Sequence, residues 1–350
     1  MKPIPLLHIT DLYHPPQDPD DHLDLATIAA LGGSLDLKAV VLDPTRPFLL
    51  PEPQGSDIAR DPGFVPVAQL GYLLGRPIPV ASGPADPLAR PTDDCHDRPA
   101  REQAGVRLIL ETLEASESPV LISCVGSARA LTAAFNRAPD LLRARTRAVL
   151  LNAGSTGGPK REWNVGLDVA AYTGLWRSRL PIHWYPCGTD KSAFEPDDPR
   201  GTYWRASHRD LFRDIPQSLM AWFAYAYTGS ARGDIIRSLD DLGKDPVWEI
   251  AMSGSRHIWS TASLVMAAGL ELAKTPEGWR FTSPEAARQT EESWPWRLDP
   301  ISAKVDPEGR VTWSPAPAAR QAFLFGRKAG KEFSAAMAEA LNALFRQIPL

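Results

Sequence analysis

The chain has 350 residues, of which 43% are hydrophobic and 23% charged, and its formal net charge is −4 at pH 7. This composition is typical of a globular protein with a sizeable core. No block of Lys or Arg stands out, which argues against nucleic acid or an anionic membrane as a partner. The widely spaced Cys95, Cys124 and Cys187 form no zinc-like pair or disulfide framework. No apolar run suits a membrane span or a signal peptide, so we expect a cytoplasmic protein.

Strand-like and helix-like segments alternate from the N-terminus to Gly188. KPIPLLHIT predicts a buried strand, and DHLDLATIAAL predicts a helix with Leu23, Ala26, Thr27 and Ala30 on one face. The alternation continues through LDLKAVVLD, PVAQLGYLLG, RPIPVASG, AREQAGVRLILETLEAS, PVLISCVG, SARALTAAFNRAPDLL, TRAVLLNAG, DVAAYTGLWRS and LPIHWYPCG. This pattern predicts an α/β fold, with a mostly parallel, Rossmann-like open sheet flanked by helices.

The second half of the sequence is less regular. IPQSLMAWFAYAYTG, RHIWSTASLVMAAGLELAK and RKAGKEFSAAMAEALNALFRQI predict helices, and AKVDPEGRVTWS predicts a hairpin. The sequence contains no internal repeat, low-complexity tract or clear linker. We therefore expect a single domain over residues 1–350, with a more helical second half from about residue 195.

An acidic cluster separates the first predicted strand from the first predicted helix. Its members are Asp11, Asp18, Asp20, Asp21 and Asp24. Asp20 or Asp21 is explained equally well as a helix cap, because acids favour the first turn of a helix. Asp11, however, directly follows a buried strand, where ligands bind in parallel sheets. Oxygen ligands suit Ca²⁺ or Mg²⁺, and a metal-bound water beside a carboxylate base is a hydrolytic device.

The order of the motifs resembles that of the nucleoside hydrolase family (inosine–uridine preferring type). ITD followed by PDD is similar to its acidic opening motif, with Asp11 on the motif's second Asp and Asp20–Asp21 on its closing pair. LGRPIPVASGPADPL, PVLISCVGSARALTAAFNRAPDLL and AVLLNAG resemble later segments of the family. The most specific match is EWNVGLDVAAYTGLW, which resembles Glu-Phe-Asn-x-x-x-Asp-x-x-Ala-Ala. HIWSTASLVMAAG extends the resemblance to about residue 270.

The resemblance implies a calcium site and a nucleophilic water. Asp11 would bind Ca²⁺ and act as the base, Asp21 would be a second ligand, and the backbone carbonyl of Arg129 would be a further one. Asp43, at the end of the second predicted strand, is either another ligand for the metal or sugar or a solvated loop acid.

The resemblance also implies a ribose site. Asp20, Glu162 and Asn164 would hold the hydroxyls of the sugar. Cleavage of an N-glycosidic bond passes through an oxocarbenium-like sugar, whose positive charge carboxylates and amide oxygens stabilise.

Two departures from the family pattern bear on the metal site. LYHPPQDP is an insertion that brings His14 and Asp18 toward the site. The family's late His-Asp pair falls on either His257-Ile258 or Trp259-Ser260, and neither pair contains an Asp. A carboxylate is therefore missing. The candidate substitutes are Asp43 and Asp18, which would restore the lost charge, and then Ser260, Thr261 and His14, of which His14 suits a hard cation poorly.

The late segment also offers an acid and a stacking surface. His257 either protonates the leaving base or is a helix-cap or packing histidine. Trp259 would lie beside the ligand and contact it through its ring.

These observations predict a metal-dependent hydrolase that cleaves the N-glycosidic bonds of ribonucleosides or related ribosides. The alternative is a non-catalytic protein that binds a ribosyl or sugar ligand. A phosphatase with an Asp-x-Asp loop is excluded, because Tyr13 stands two residues after Asp11. We expect a small riboside as the partner, no nucleic acid and no membrane, and we leave a homo-oligomer open.

Overall fold

The computed structural model describes residues 2–12, 20–46, 61–158, 160–228, 235–239 and 246–350. Through β6 the elements are β1 (Ile4–Thr10), α1 (Asp20–Ala30), β2 (Leu35–Leu42), α2 (Phe64–Leu73), β3 (Val80–Ser82), α3 (Ala104–Ala115), β4 (Val120–Val125), α4 (Arg129–Arg137), α5 (Pro139–Arg145), β5 (Thr146–Asn152), α6 (Trp163–Leu167), α7 (Val169–Arg177) and β6 (Ile182–Trp184).

The later elements include more strands than the sequence predicts. They are β7 (Trp204–Ser207), α8 (His208–Phe212), α9 (Gln217–Thr228), α10 (Pro246–Met252), β8 (Ser255–Ile258), α11 (Thr261–Ala267), β9 (Glu271–Thr275), β10 (Gly278–Thr282), α12 (Pro284–Ala287), β11 (Ser293–Trp294), β12 (Arg297–Val305), β13 (Val311–Pro315), β14 (Ala322–Gly326) and α13 (Phe333–Phe345).

A nine-stranded sheet forms the centre of the fold, in the order β13-β12-β14-β6-β5-β4-β1-β2-β3. Strands β1 to β6 and β14 run parallel to one another, whereas β12 lies antiparallel between β14 and β13. The predicted α/β class with a mostly parallel sheet is therefore confirmed. Strands from the end of the chain complete one edge of a sheet that the first half begins.

The prediction of a more helical second half is wrong. Eight of the fourteen strands in the described residues lie after residue 195. The segment RHIWSTASLVMAAGLELAK, predicted as one helix, forms β8, α11 and β9. Short apolar runs do not distinguish a strand from a helix by periodicity. Here the choice is made by distant partners, since β8 pairs with β7 and β9 with β10 and β11.

Alternating side chains of the central strands supply two hydrophobic cores. In β1, Leu6 packs into the core on one face of the sheet, while Leu7 and Ile9 pack into the core on the other. This alternation is the ordinary geometry of a strand that is covered by helices on both faces. Among the described residues, no helix combines the length and apolar character needed to cross a membrane.

The strand order reverses between β1 and β4, which are neighbours in the sheet although β2 and β3 intervene in sequence. In doubly wound sheets, ligands bind beyond the carboxyl ends of the strands at such a reversal. Asp11 directly follows β1, and Gly126 directly follows β4. The fold therefore brings these two sequence motifs to the position where a ligand site is expected.

Candidate functional site

A cavity of about 790 Å³ opens at the carboxyl ends of the central strands. Its wall includes Asp11 after β1, Val125 at the end of β4 and Ser155 after β5. The volume lies in the upper part of the range of roughly 300–1,000 Å³ that is typical of small-molecule sites. The predicted site residues Asp11, Asp20, Asp21, Glu162, Asn164, His257, Trp259 and Ser260 all line this one cavity.

The acidic floor of the cavity consists of Asp11, Asp20 and Asp21. Asp11 and Asp21 are buried and joined by a side-chain hydrogen bond, and the Thr10 hydroxyl also donates to Asp21 Oδ2. Asp20 is half-buried and accepts the Asp21 N–H at 3.1 Å. Burial raises the pKa of Asp11 well above its usual range, and the charges of Asp21, Asp43 and Asp20 raise it further. A proton or a cation must therefore offset the negative charge here.

Asp24 belongs to the same charged group, although the sequence analysis gave it no role in the site. It is fully buried one helical turn after Asp21 and lies beside Ser260 and Thr261 at the start of α11. The Thr261 hydroxyl donates to its Oδ1 at 3.5 Å, while its Oδ2 accepts no hydrogen bond from any residue that the structure describes. Burial, and then the charge of Asp21, raise the pKa of Asp24 well above its usual range.

Asp43 lies behind Asp11 and does not line the cavity. The loop-acid alternative is wrong, because Asp43 is fully buried and accepts hydrogen bonds from Ser127 N at 2.6 Å and Ser127 Oγ at 2.8 Å. Gly126 makes this packing possible: its φ is +95°, and an added Cβ would stand 2.7 Å from Asp43 Oδ2 and 3.1 Å from Asp11 Cβ. Asp43 therefore stabilises the turn after β4 and does not form part of the cavity wall.

The predicted metal contact at the Arg129 carbonyl does not fit the structure. Arg129 begins α4, so its carbonyl points along the helix, and it is not a lining residue of the cavity. Its buried side chain bonds Asp168 at 3.1 Å and the carbonyls of Pro44 and Pro84 at 3.0 and 2.9 Å. The lining residue at this strand end is Val125.

Glu162 and Asn164 reach the cavity from the short helix α6. Glu162 caps this helix: its carboxylate accepts the N–H groups of Gly154 at 2.8 Å, Asn164 at 3.1 Å and Val165 at 3.2 Å. Burial raises the pKa of Glu162, although these hydrogen bonds oppose the shift. Asn164 donates its Nδ2 to the Asn152 carbonyl at 3.1 Å, which leaves Oδ1 as its acceptor for a ligand.

Four rings form an aromatic cluster, which we define as Phe194, Tyr203, His257 and Trp259. The Phe194 ring packs edge-on against the other three, with centroid distances of 5.8, 5.2 and 5.5 Å, and it is 57% exposed. Trp259 is held in place by a hydrogen bond from its Nε1 to the Ala193 carbonyl at 2.8 Å. Phe194, His257 and Trp259 line the cavity and offer a surface on which a planar base can stack.

His257 belongs to strand β8, so the helix-cap alternative is wrong. Its Nδ1 lies 2.7 Å from the hydroxyl of Tyr203. When Tyr203 donates this hydrogen bond, the proton of the neutral imidazole is on Nε2, whereas the protonated imidazole donates from Nδ1 to Tyr203. Ser260 lies at the N-cap position of α11, but its side chain makes no capping hydrogen bond.

The donor atoms at the floor suit a hard cation, although they do not form a finished metal site. Within the described residues, no three His, Cys, Asp or Glu side chains are arranged to hold a metal ion. The direct contact between Asp11 and Asp21 and the unsatisfied Oδ2 of Asp24 are both features that a cation would relieve. The candidate ligands His14 and Asp18 lie outside the described residues.

Comparisons with known proteins identify the fold. No protein-family model matches the sequence, and a search of curated proteins found no match. Among solved structures, a purine-preferring ribonucleoside hydrolase from Gardnerella vaginalis is similar over 98% of this chain and 99% of that one (TM-score 0.54, 14% identity). An inosine–uridine preferring nucleoside hydrolase from Bacillus anthracis is similar over 98% and 99% (0.53, 12%). The type III effector XopQ, solved with adenosine diphosphate ribose, is similar over 99% and 94% (0.53, 15%).

The chain has the nucleoside hydrolase fold. The predicted resemblance is confirmed at this level, because the similarity extends over nearly the whole of both chains. The identities of 12–15% establish the fold and not the activity. Any reaction that this chain catalyses therefore has to be inferred from the residues that line its cavity.

Proposed function

We propose that this protein hydrolyses the N-glycosidic bond of a riboside with the help of a bound Ca²⁺ ion. The observation that carries the proposal is the composition of the cavity, which combines a buried carboxylate pair with an amide oxygen and an aromatic cluster. These are the groups that hydrolysis of a riboside requires: a base, a stabiliser for an oxocarbenium-like sugar and a surface for the leaving base.

Asp11 and Asp21 would hold the cation, and the main chain at Val125 would add a neutral ligand in place of Arg129. Bound Ca²⁺ would lower the pKa of the attacking water. Ser260 is one of the two positions where the resemblance leads one to expect the late carboxylate, and Asp24 lies beside it on α1, so we assign Asp24 the role of restoring the missing negative charge. Ser260 would supply a hydroxyl oxygen at the cavity wall.

In the proposed reaction, six of the residues that line the cavity act on the water, the sugar or the base. Asp11 accepts a proton as water adds to the anomeric carbon, and the electron pair of the broken C–N bond leaves with the base. Asn164 Oδ1 and the Glu162 carboxylate stabilise the positive charge of the sugar, while Asp20 accepts hydrogen bonds from the ribose hydroxyls. The base stacks on Trp259 and Phe194.

The departing base needs a proton, and His257 is the group placed to provide it. To act as the acid, His257 would carry protons on both ring nitrogens; Nδ1 would then donate to the Tyr203 hydroxyl, 2.7 Å away, and Nε2 would pass its proton to the base and leave a neutral ring. Arg256, adjacent in β8, also lines the cavity and adds positive charge beside the developing negative charge of the leaving group.

Metal binding is tested by calorimetric titration of the protein with Ca²⁺. We expect saturable binding in the wild type, loss of binding in Asp21→Ala and weaker binding in Asp24→Asn. The exposed Asp140→Asn is the matched control and should bind as the wild type does. Unchanged binding in Asp21→Ala would show that the ion binds elsewhere.

A second candidate function is the binding of a ribosyl ligand without catalysis. It is favoured by Ile258 and Ser260, which stand where the resemblance leads one to expect Asp. Incubation with a panel of ribonucleosides and p-nitrophenyl riboside, with Ca²⁺ in excess, separates the two functions. Release of base or nitrophenol supports the hydrolase, whereas binding of ribosides without any release supports the binding protein.

A further inference from the structure

Most of the charged residues that line the cavity are separated by sign and by depth; the exceptions are Glu162, a half-buried acid next to Arg161, and the exposed Asp190. The negative charges of Asp11, Asp20 and Asp21 lie at the floor. Cationic residues lie toward solvent, and we call this group the cationic mouth: Lys160, Arg161, Lys191 and Arg256. The first three of these cations are exposed, and they form no ion pair with another described residue. The acids beside these three exposed cations are Asp190 and the half-buried Glu162, so positive charge is in excess among them by one.

A glycine-rich loop joins the floor to the mouth. The segment AGSTGG follows β5, and Ser155, Gly157 and Gly158 line the cavity immediately before Lys160 and Arg161. Gly158 has a φ of +84°, and its N–H donates no hydrogen bond to any described residue. A loop without bulky side chains lets an anion approach main-chain N–H groups closely, and adjacent cations then add to the attraction.

We propose that the riboside bound in this cavity carries phosphate on its 5′ carbon, with the phosphate held by the cationic mouth and the glycine-rich loop. This inference rests on the proposed function. In the proposed orientation the ribose hydroxyls face the acidic floor and the 5′ carbon faces the cationic mouth. A phosphate there is kept away from Asp11 and Asp21, which would repel it, and is brought to groups that attract it.

The arrangement favours a small nucleotide over a nucleic acid strand. The protein as a whole is acidic, with a formal charge of −4, so its net charge repels a long phosphate backbone. The carboxylates at the floor would also repel an anion that entered the cavity completely. A molecule with a neutral ribose at one end and phosphate at the other suits both the acidic floor and the cationic mouth.

The test compares release of adenine from adenosine, adenosine 5′-monophosphate and adenosine diphosphate ribose at one buffered concentration of free Ca²⁺. We expect kcat/KM to be at least about tenfold higher for the two phosphorylated compounds at low salt. Because the cations are exposed, raising the salt should shrink this preference. Arg161→Gln and Lys191→Gln should each lower kcat/KM for the phosphorylated compounds about two- to fivefold and leave adenosine unchanged.

The exposed Arg107→Gln, on α3 away from the cavity, is the control and should change neither substrate. Equal kcat/KM for adenosine and its 5′-monophosphate would overturn the inference and leave the proposed function standing. Equal loss on both substrates in Arg161→Gln and Lys191→Gln would also overturn it. If the protein neither hydrolyses nor binds any of the three compounds, the proposed function fails and the inference with it.

Discussion

The floor and the mouth of the cavity are built in different ways. The floor lies where β1, β4 and α1 meet, and Asp11, Asp21 and Asp24 are buried against one another there. The mouth is made largely by the segments after β5 and β6, and three of its four cationic side chains are exposed. Buried like charges destabilise a fold, whereas exposed cations cost little. The difference indicates that the floor is placed for chemistry and the mouth for recognition, so substitutions should affect catalysis at one end and affinity at the other.

The largest effect is expected from Asp11→Asn. This change removes the proposed base while keeping a side chain of the same shape, so hydrolysis should fall by about 10²–10⁴-fold. The melting temperature in the presence of a chelator should not fall, because the variant removes a charge that burial disfavours. Steady-state hydrolysis and thermal unfolding check both expectations, with Asp140→Asn as the exposed control. An active Asp11→Asn protein would contradict the assignment of the base.

The substitution His257→Ala tests the proposed acid, which belongs to neither the acidic floor nor the cationic mouth. Loss of the acid should slow nucleosides by about 10²-fold, less than the loss of Asp11, which is both the base and a proposed metal ligand. It should spare p-nitrophenyl riboside, whose leaving group needs no proton. Tyr203→Phe should show the same selectivity with a smaller loss, because it only removes the partner that orients the imidazole. Parallel assays of the two substrate types decide the point, since an equal loss on both would remove His257 from the role of acid.

Sequence patterns locate the floor better than the mouth. Asp11 follows a buried strand and Asp20–Asp21 open a helix, which are local signals that a single sequence displays. The i, i+3 spacing of Asp21 and Asp24 on α1 is also visible in the sequence and would have found Asp24. Its partners Ser260 and Thr261, however, are distant in sequence.

The aromatic cluster could not be predicted as a unit. Phe194 lies in a segment between elements, Tyr203 directly precedes β7 and His257 lies in β8, so their contact depends on the pairing of β7 with β8. The predicted helix over this late segment hid that pairing. The choice of Arg129 over Val125 failed for a similar reason: the end of β4 and the start of α4 are only a few residues apart, and the sequence does not show where the strand ends.

The contribution of His8 to the pH dependence of stability reports whether water reaches the protein interior below the acidic floor. It lies in β1, fully buried, and burial lowers its pKa to about 3. An unfolded His takes up a proton near pH 6.5. The stabilising effect of keeping His8 neutral is thus complete above pH 6.5 and is lost as the pH falls toward 3. At pH 5 the loss is about 2 kcal/mol in the free energy of unfolding.

His8→Leu should remove this contribution. Denaturant unfolding at pH 7.5 and pH 5.0 should show a difference between the two pH values that is about 2 kcal/mol smaller in the variant than in the wild type. The exposed His96→Leu is the control and should keep the pH dependence of the wild type. The same pH dependence in His8→Leu and the wild type would mean that water reaches the interior beneath Asp11.

A small effect is expected from Phe194→Ala, in the aromatic cluster. The ring is 57% exposed and its contacts are with Tyr203, His257 and Trp259, so its removal should scarcely change the melting temperature. A stacked aromatic pair contributes about 0.5–1.5 kcal/mol, which corresponds to a two- to tenfold loss of adenosine affinity. Tyr72→Ala is the matched control, because Tyr72 is 59% exposed on α2 and does not line the cavity. Calorimetric titration with adenosine should separate the two variants. An unchanged affinity in Phe194→Ala would show that the base does not stack on the aromatic cluster, and the division between a catalytic floor and a recognising mouth would then rest on the cations alone.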